Sequence, residues 1–376
     1  MRKEDFYTLI VYALMFVIAL FIGLQIVQPA LSDLGYFALG DQYTFASIVI
    51  VVGIVVNVVL IELGHVLGAL IGGYRILSIN VLGLCIYRTQ EKWKFGFKSF
   101  QGLTGETRIL AKKDNASPRL HLFGPSLMVL TEFVVAIILY VFTRSDQIIH
   151  HGALIVAGIG VLLLIYNIMP FKLDTMTDGY YLMMLSKKIN IEAYNELIRI
   201  ESLIYENKSL GDIKLFDQIT TLTSRVNMYK IYDYIDKRDF TNALTLIDLM
   251  ITNKNDIEVE VSSRAYAQKL YIILMTKTKE EADKFWFEEM SGKERKFVSN
   301  DISMESLRAY LLYNGVVTRS ESECEFVINR VPKAVKQAVD TNRRDIEIKL
   351  FQEALKIVKD NNPEWQLEEP VLKIKK

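Results

Sequence analysis

The stretch "NVVLIELGHVLGALIGG" (57–73) decides how the chain is read. It carries Glu62 and His65 in an otherwise apolar run, with Asn57 one and a half turns upstream. Residues three apart share a helix face, so Glu62 and His65 point the same way. Ionisable groups inside an apolar segment of this length are costly to bury and usually serve a function. The bland alternative is a helix that stops near Ile61 and leaves both groups at a wet interface.

Working outward, the 376 residues are 51% hydrophobic with zero formal net charge. Residues 6–32 and 42–61 contain no charged side chain. Two further apolar runs follow, "LFGPSLMVLTEFVVAIILYVF" (122–142) and "IIHHGALIVAGIGVLLLIYNIMPF" (148–171). Each is close to the ~20 residues a helix needs to cross a ~30 Å hydrocarbon core. Four membrane helices are therefore expected. The first run is too long for a secretory signal and lacks a small-residue cleavage pattern, so it is expected to be retained. Cys85 and Cys324 are too far apart in sequence for a Cys-x-x-Cys metal site and give no disulfide framework. Neutral charge without a strongly basic half argues against a nucleic-acid partner.

Lysine and arginine are unevenly distributed. Arg2 and Lys3 precede the first run, the loop at 28–42 has neither residue, and residues 74–122 carry nine against three acids. The positive-inside rule then places both termini in the cytoplasm, with Arg144 the one dissenting charge. On this topology Glu62, His65, the Gly124–Pro125 pair and the segment after "NIMP" (167–170) all reach one cytoplasmic-side depth. His150 and His151 fall at the opposite surface. His121, beside Arg119, reads as a surface residue. Glu132 is expected to face the bundle and bond to a neighbour such as Asn57. Asp174 reads as a loop cap or a spare metal ligand.

The ordered set "IELGH" (61–65), "FGP" (123–125), "NIMP" (167–170) and "DG" (178–179) resembles the site-2 protease family of intramembrane zinc metalloproteases. That family carries His-Glu-x-x-His on one core helix, and Asn-x-x-P followed by Asp-Gly on a later one. The resemblance spans residues 43–186. It implies His65 as the second zinc ligand, Asp178 as the third, and Glu62 as the general base that activates a zinc-bound water. Ile61 departs from the family at the first ligand. Catalytic zinc sites generally use three protein ligands and a water, and isoleucine cannot coordinate, so zinc binding is expected to be weak or absent. Glu62 could replace the missing ligand, with Asp174 taking over as base.

Residues 74–110 mix alternating apolar residues with glycines and predict a small β insertion between the second and third helices. The resemblance implies that this element lies beside the site and can pair with an unwound substrate. Trp93, Phe95, Phe97 and Phe100, interleaved with lysines, equally suit a membrane-surface segment. Residues 187–376 are charged and helically periodic, as in "DFTNALTLIDLMI" (239–251) and "SSRAYAQKLYIILM" (262–275). Thr278 with Glu281, and Thr318 with Glu321, predict capping boxes. The expected organisation is thus an N-terminal helix and external loop (1–42), a protease-like membrane core (43–186), and a cytoplasmic all-α domain (187–376). That last domain is a helical array resembling tetratricopeptide repeats, or an ordinary bundle.

The function implied is hydrolysis of a peptide bond within or beside a membrane helix, in a bacterial plasma membrane. The alternative is a non-catalytic pseudoprotease that binds a membrane peptide or protein and recruits a cytoplasmic partner through its C-terminal domain. A small transporter, resting only on Glu132 and Asn57, is the third reading.

Overall fold

The computed structural model describes residues 3–33, 39–89, 92–97, 105–112, 116–170, 176–337, 341–370 and 372. The chain divides into two compact units, residues 1–202 and 203–376.

In the first unit, α1 (Lys3–Ile22) continues through one wide turn (Gly23–Val27) into α2 (Gln28–Asp33), and α3 (Leu39–Ile71) follows. A four-stranded antiparallel sheet comes next, and then α4 (Pro118–Phe142) and α5 (Gln147–Ile168). Four helical spans, Leu9–Asp33, Gly40–Ile71, Pro118–Phe142 and Gln147–Ile168, are long and apolar enough to cross a membrane. The helix carrying Glu62 and His65 does not stop near Ile61; it runs on to Ile71. Glu62 is accordingly 3% exposed rather than at a wet helix end.

Glycine sets how closely these helices meet. Gly64 and Gly68 lie four residues apart on one face of α3, and Gly72 follows just past its end. A Cβ on Gly64 would lie 2.5 Å from the Pro125 backbone, one on Gly68 would strike the Leu120 carbonyl, and one on Gly124 would strike the Gly64 carbonyl. The two backbones therefore touch, as small residues allow in membrane helix pairs.

The strands are β1 (Tyr74–Val81), β2 (Leu84–Thr89), β3 (Lys92–Phe97) and β4 (Gly105–Ala111), in the order β3-β2-β1-β4. The β1–β2 turn is Leu82–Gly83, both at positive φ, and Asn80 Oδ1 accepts from the Gly83 amide. Only Gly72 and Gly73 separate α3 from the sheet. Gly73 O accepts from the Lys112 amide and Gly72 O from the Ser117 amide, which holds the Tyr74–Ala111 end of the β1–β4 pair at the helix ends.

A short helix, α6 (Asp178–Met184), and α7 (Lys188–Tyr205) complete the unit. The sequence groups α7 with the C-terminal domain, whereas its residues as far as Ser202 belong to the first unit. Tyr74 OH donates to Asn195 Oδ1 at 2.7 Å, and Ile198 joins a core with Ala69, Tyr74, Ile76, Ile109 and Ala116. Burial pushes the Tyr74 phenol well above its usual range, so it remains a donor.

The second unit is all-helical among its described residues: α8 (Thr221–Asp236), α9 (Phe240–Thr252), α10 (Val259–Thr276), α11 (Lys279–Lys284), α12 (Gly292–Asn300), α13 (Met304–Leu312), α14 (Glu321–Gln337) and α15 (Thr341–Asn361). In α9 the buried residues are Ala243, Leu246, Ile247 and Met250, the spacing of one helical face. The Thr278–Glu281 capping box is present. Thr318 does not cap α14. Its hydroxyl donates back to the Asn314 carbonyl, and Arg319, at φ 53°, ends that preceding turn. The helix begins only after Ser320, whose carbonyl accepts from the Cys324 amide, so Thr318 lies too far upstream to cap it.

Candidate functional site

The polar residues singled out in the sequence meet where α3 ends, α4 begins and α5 breaks. Pro170 stops α5 because it forces Met169 out of helical geometry, at ψ 128°. The chain then returns through Thr177, whose hydroxyl donates to the Met169 carbonyl at 2.7 Å and accepts from the Tyr180 amide. Asp178 is the first residue of α6. Gly179 lies so close to the Ile168 carbonyl that any Cβ would collide with it. The Asn-x-x-P and Asp-Gly pieces thus have a local physical reason. One breaks the helix, and the other lets the returning chain pass over its end.

Asp178 is held from two directions. Asn167 Nδ2 donates to Asp178 Oδ2 at 2.6 Å, and His65 Nε2 lies 3.2 Å from the same oxygen. His65 and Asp178 each keep only 14% side-chain exposure. His65 Nδ1 is bonded to the His121 carbonyl at 3.2 Å, while His121 Nδ1 meets the His65 carbonyl at 3.0 Å. The two imidazoles stand 4.8 Å apart, centre to centre. His121 is thus not a surface residue. It is 6% exposed, because the glycine-cleared crossing of α3 and α4 carries it against His65.

Glu62, one turn before His65, turns to the sheet. Thr107 Oγ1 on β4 donates to Glu62 Oε2 at 2.6 Å, and a Cβ on Gly105 would lie 2.8 Å from Glu62 Oε1. β4 is an outer strand of the sheet, so a strand edge and a buried carboxylate occupy the same neighbourhood.

The donor set can be compared with what a metal ion needs. Two ligands of one tetrahedral zinc, with bonds of ~2.0–2.2 Å, stand about 3.3 Å apart. The 3.2 Å between His65 Nε2 and Asp178 Oδ2 suits such a pair. Fixing Nδ1 on a carbonyl, as His121 O does, is how metal-binding histidines are commonly oriented. A third donor is lacking among the described residues. Among the described residues no three of His, Cys, Asp and Glu converge closely enough to hold an ion. Ile61, on the same stripe as His65, is buried and aliphatic. Glu62 is engaged by Thr107, and His121 Nδ1 by a backbone carbonyl. Asp174 lies outside the described residues. As placed, the described residues do not make a three-ligand site.

The remaining candidates sit elsewhere. Asn57 Nδ2 donates to Glu132 Oε1 at 3.2 Å, as expected, and also contacts the Gly53 and Val156 carbonyls. His151 Nε2 meets Gln147 Oε1 and Asp33 Oδ2, and His150 stacks on Tyr140. Both histidines begin α5, about 25 Å along the helix from Asn167. Thr107, Asn167 and His121 were not assigned to the site from sequence. Only Asn167 carried a signal, as the first residue of the Asn-x-x-P motif.

No known protein-family model matches the chain, and no curated protein or solved structure is significantly similar to it.

Proposed function

We propose that the chain is a multi-pass membrane protein built on the site-2 protease plan, with its hydrolytic centre degraded at Ile61. In this reading it holds an extended segment of a membrane protein beside Glu62. The observation that carries it is the direct contact of His65 with Asp178, backed by Asn167, while an aliphatic Ile61 fills the first-ligand position. The first unit's spans leave many large apolar side chains exposed, among them Leu63, Leu67, Leu130 and Ile137, a coat suited to hydrocarbon. Outer strand β4, tied to Glu62 through Thr107, offers backbone groups for pairing with an unwound segment. The uneven lysine and arginine distribution supports an orientation with both termini on the cytoplasmic side. The C-terminal unit then recruits a cytoplasmic protein. A cleft of about 340 Å³ there, lined by residues including Lys208, Tyr229, Tyr232, Asp236 and Arg343, is the place for the partner's segment.

A second reading, an active metallopeptidase, draws on the 3.2 Å spacing of His65 and Asp178. It requires Glu62 to leave Thr107, or Asp174 to supply the third donor. Zinc content of the purified full chain separates the two. The first reading expects no stoichiometric zinc in the unaltered chain and about one equivalent in Ile61→His, by restoring a three-ligand set. Zinc in the unaltered chain that Asp178→Ala removes would favour the peptidase.

A further inference from the structure

Where α3, α4 and α5 meet, about 12 Å along α3 from His65, two buried oxygen atoms have no donor. Asn57 on α3 is fully buried, and its Nδ2 reaches three acceptors: the Gly53 carbonyl at 3.0 Å, the Val156 carbonyl at 3.1 Å and Glu132 Oε1 at 3.2 Å. An amide nitrogen has two hydrogens, so acceptors already outnumber donors. The three bonds also fix the amide, because turning it over would set Oδ1 against three acceptors. Asn57 Oδ1 and Glu132 Oε2 are then both buried and both without a hydrogen-bond partner. Buried polar atoms are nearly always paired, so an orphaned pair points to a partner from outside the chain.

Both oxygens face the same small space. A Cβ on Gly160, in α5, would lie 2.6 Å from Asn57 Oδ1, 2.6 Å from Glu132 Oε2 and 3.3 Å from Val129 Cγ1. Glycine at this position thus leaves a notch the size of a single carbon, lined by a carboxylate oxygen and an amide oxygen.

The surrounding helices supply no cation to Glu132. α3 and α5 contain no lysine or arginine, and Arg119, the only one on α4, lies about 20 Å along that helix. α1 meets α5 at Gly158 through Ile22, and residues 6–32 carry no charge. The nearest titratable groups along α3 and α5 are Glu62 and Tyr166, about 8 and 9 Å beyond Asn57 and Gly160. His121 and Asp178 gather with His65 at the other end of the crossing, and His150 and His151 begin α5. The outer side of α4 is apolar, with Phe133, Val134 and Val135 exposed. A charge among membrane helices is costly unless paired, so a carboxylate here is driven to take up a positive charge.

We propose that Asn57 Oδ1 and Glu132 Oε2, at the notch beside Gly160, hold one exchangeable monovalent cation, a proton or a sodium ion competing for the same carboxyl. Oxygen ligands select hard cations, a single carboxylate balances a single charge, and the notch admits only a small ion. In the protonated form Glu132 Oε2 donates to Asn57 Oδ1, and in the sodium form the ion bridges the two oxygens. This rests on the reading that α3, α4 and α5 cross a membrane, and binding here needs no passage of the ion across it.

The test is infrared difference spectroscopy of the full chain in vesicles of phosphatidylcholine and phosphatidylglycerol. Spectra are taken as choline is exchanged for sodium at constant ionic strength and, separately, as pH is raised in choline. A protonated carboxyl and a carboxylate absorb at different frequencies, so the state of Glu132 is whatever Glu132→Gln removes from the difference. The expected result is a protonated Glu132 that alkali converts to carboxylate. Conversion by sodium at fixed pH, with several-fold more sodium needed as pH is lowered, identifies sodium as the competing ion. Conversion by alkali alone identifies the proton. Asn57→Ala removes Oδ1 without adding bulk, and Gly160→Ala fills the notch; each should move the midpoint several-fold in cation concentration. Two variants are read so that misfolding of one leaves the other. If the unaltered chain and Glu132→Gln give the same difference spectra in both exchanges, Glu132 holds no exchangeable cation and the proposal is overturned. If Glu132 responds but neither alanine variant moves its midpoint, the cation does not sit between these oxygens, which also overturns it. Release of the chain from carbonate-washed membranes would overturn the membrane reading, and the proposal with it, whatever the spectra show.

Discussion

Two regions of this chain bury charge, and they do so differently. In the C-terminal unit, Arg308 is fully buried and donates to Glu347 Oε2 and to Gln268 Oε1, both at 2.8 Å, with Tyr271 under its guanidinium. Beside it, Glu305 accepts from Arg343 at 3.2 Å and from Tyr232 at 2.8 Å, and Arg264 lies 3.7 Å away. Each acid there has a cation. At the junction of α3, α4 and α6, Glu62 and Asp178 share a neighbourhood with two imidazoles, and no lysine or arginine is bonded to either acid among the described contacts. Buried charge is thus neutralised acid by cation in one region and not in the other. A surplus of acids and imidazoles, brought together by glycine-cleared backbone contacts beside a free strand edge, is the more informative pattern. In the first arrangement each buried acid is neutralised by a guanidinium inside the helical core. The second joins His65 directly to Asp178 and adds only amide, hydroxyl and carbonyl partners around them.

The largest effect that sharpens this contrast is expected at Arg308. Arg308→Ala leaves Glu347 buried without its cation, and losing one partner of a buried pair costs ~3–5 kcal/mol. Denaturant unfolding of the full chain, followed by tryptophan fluorescence at Trp286 in the C-terminal unit, should show that unit melting first. Replacing both partners with leucine should recover most of the loss, and failure to recover would mean that the network does more than neutralise itself.

In the N-terminal unit the expected weak point is backbone contact rather than charge. Gly68→Leu places a side chain against the Leu120 carbonyl and should force α3 and α4 apart. Overpacking of this kind costs ~1–3 kcal/mol. The detergent-solubilised protein should lose thermal stability, and His65→Ala should then add little, because the His65–His121 contact is already gone. Equal effects of His65→Ala in both backgrounds would contradict the idea that the crossing positions the imidazoles.

Acid should distinguish the regions again. Burial works against ionising Glu305, yet Arg343 and Arg264 hold its carboxyl down at about 2, against an ordinary value of 4.5. A carboxyl lowered in the fold stabilises it when ionised, so this contribution is complete above pH 4.5 and disappears as pH falls from 4.5 towards 2. Unfolding midpoints of the C-terminal unit measured across that window should fall. In Glu305→Gln they should fall less steeply.

The smallest expected change is at a helix end. Ser291→Ala removes an N-cap whose hydroxyl accepts from the Glu294 amide, at a cost of ~1 kcal/mol. A midpoint shift much larger than this would mean that α12 is held chiefly by its cap rather than by burial of Val298.

Much of the chain is legible without coordinates, and the legible parts share a cause. The four apolar spans, the small sheet and the helical face of α9 follow from pattern and period, which act over a few residues. So does the convergence of Glu62, His65 and Asp178 at one depth, because a helix ending in Asn-x-x-P and a returning Asp-Gly leave the chain little freedom. His121 was misread for the opposite reason. Its burial depends on where α4 crosses α3, and that crossing is set by the fit of Gly124 against Gly64, between residues far apart in the chain. Thr318 was misread because Arg319 turns the chain at positive φ and α14 starts only after Ser320. The position of α7 depended on long-range contacts, among them Asn195 with Tyr74 and with the Ala116 carbonyl, and on a core shared with the sheet.

The sequence by itself determined that this protein has four membrane-length helices, a polar site at one end of three of them, and a helical C-terminal region, because each is a matter of local hydrophobic period and of residues that break it. Only the tertiary structure decided that Glu62 turns to β4 while His65 turns to Asp178, and that His121 joins them. Those are questions of register and of backbone approach, and they are answered only when elements distant in sequence pack.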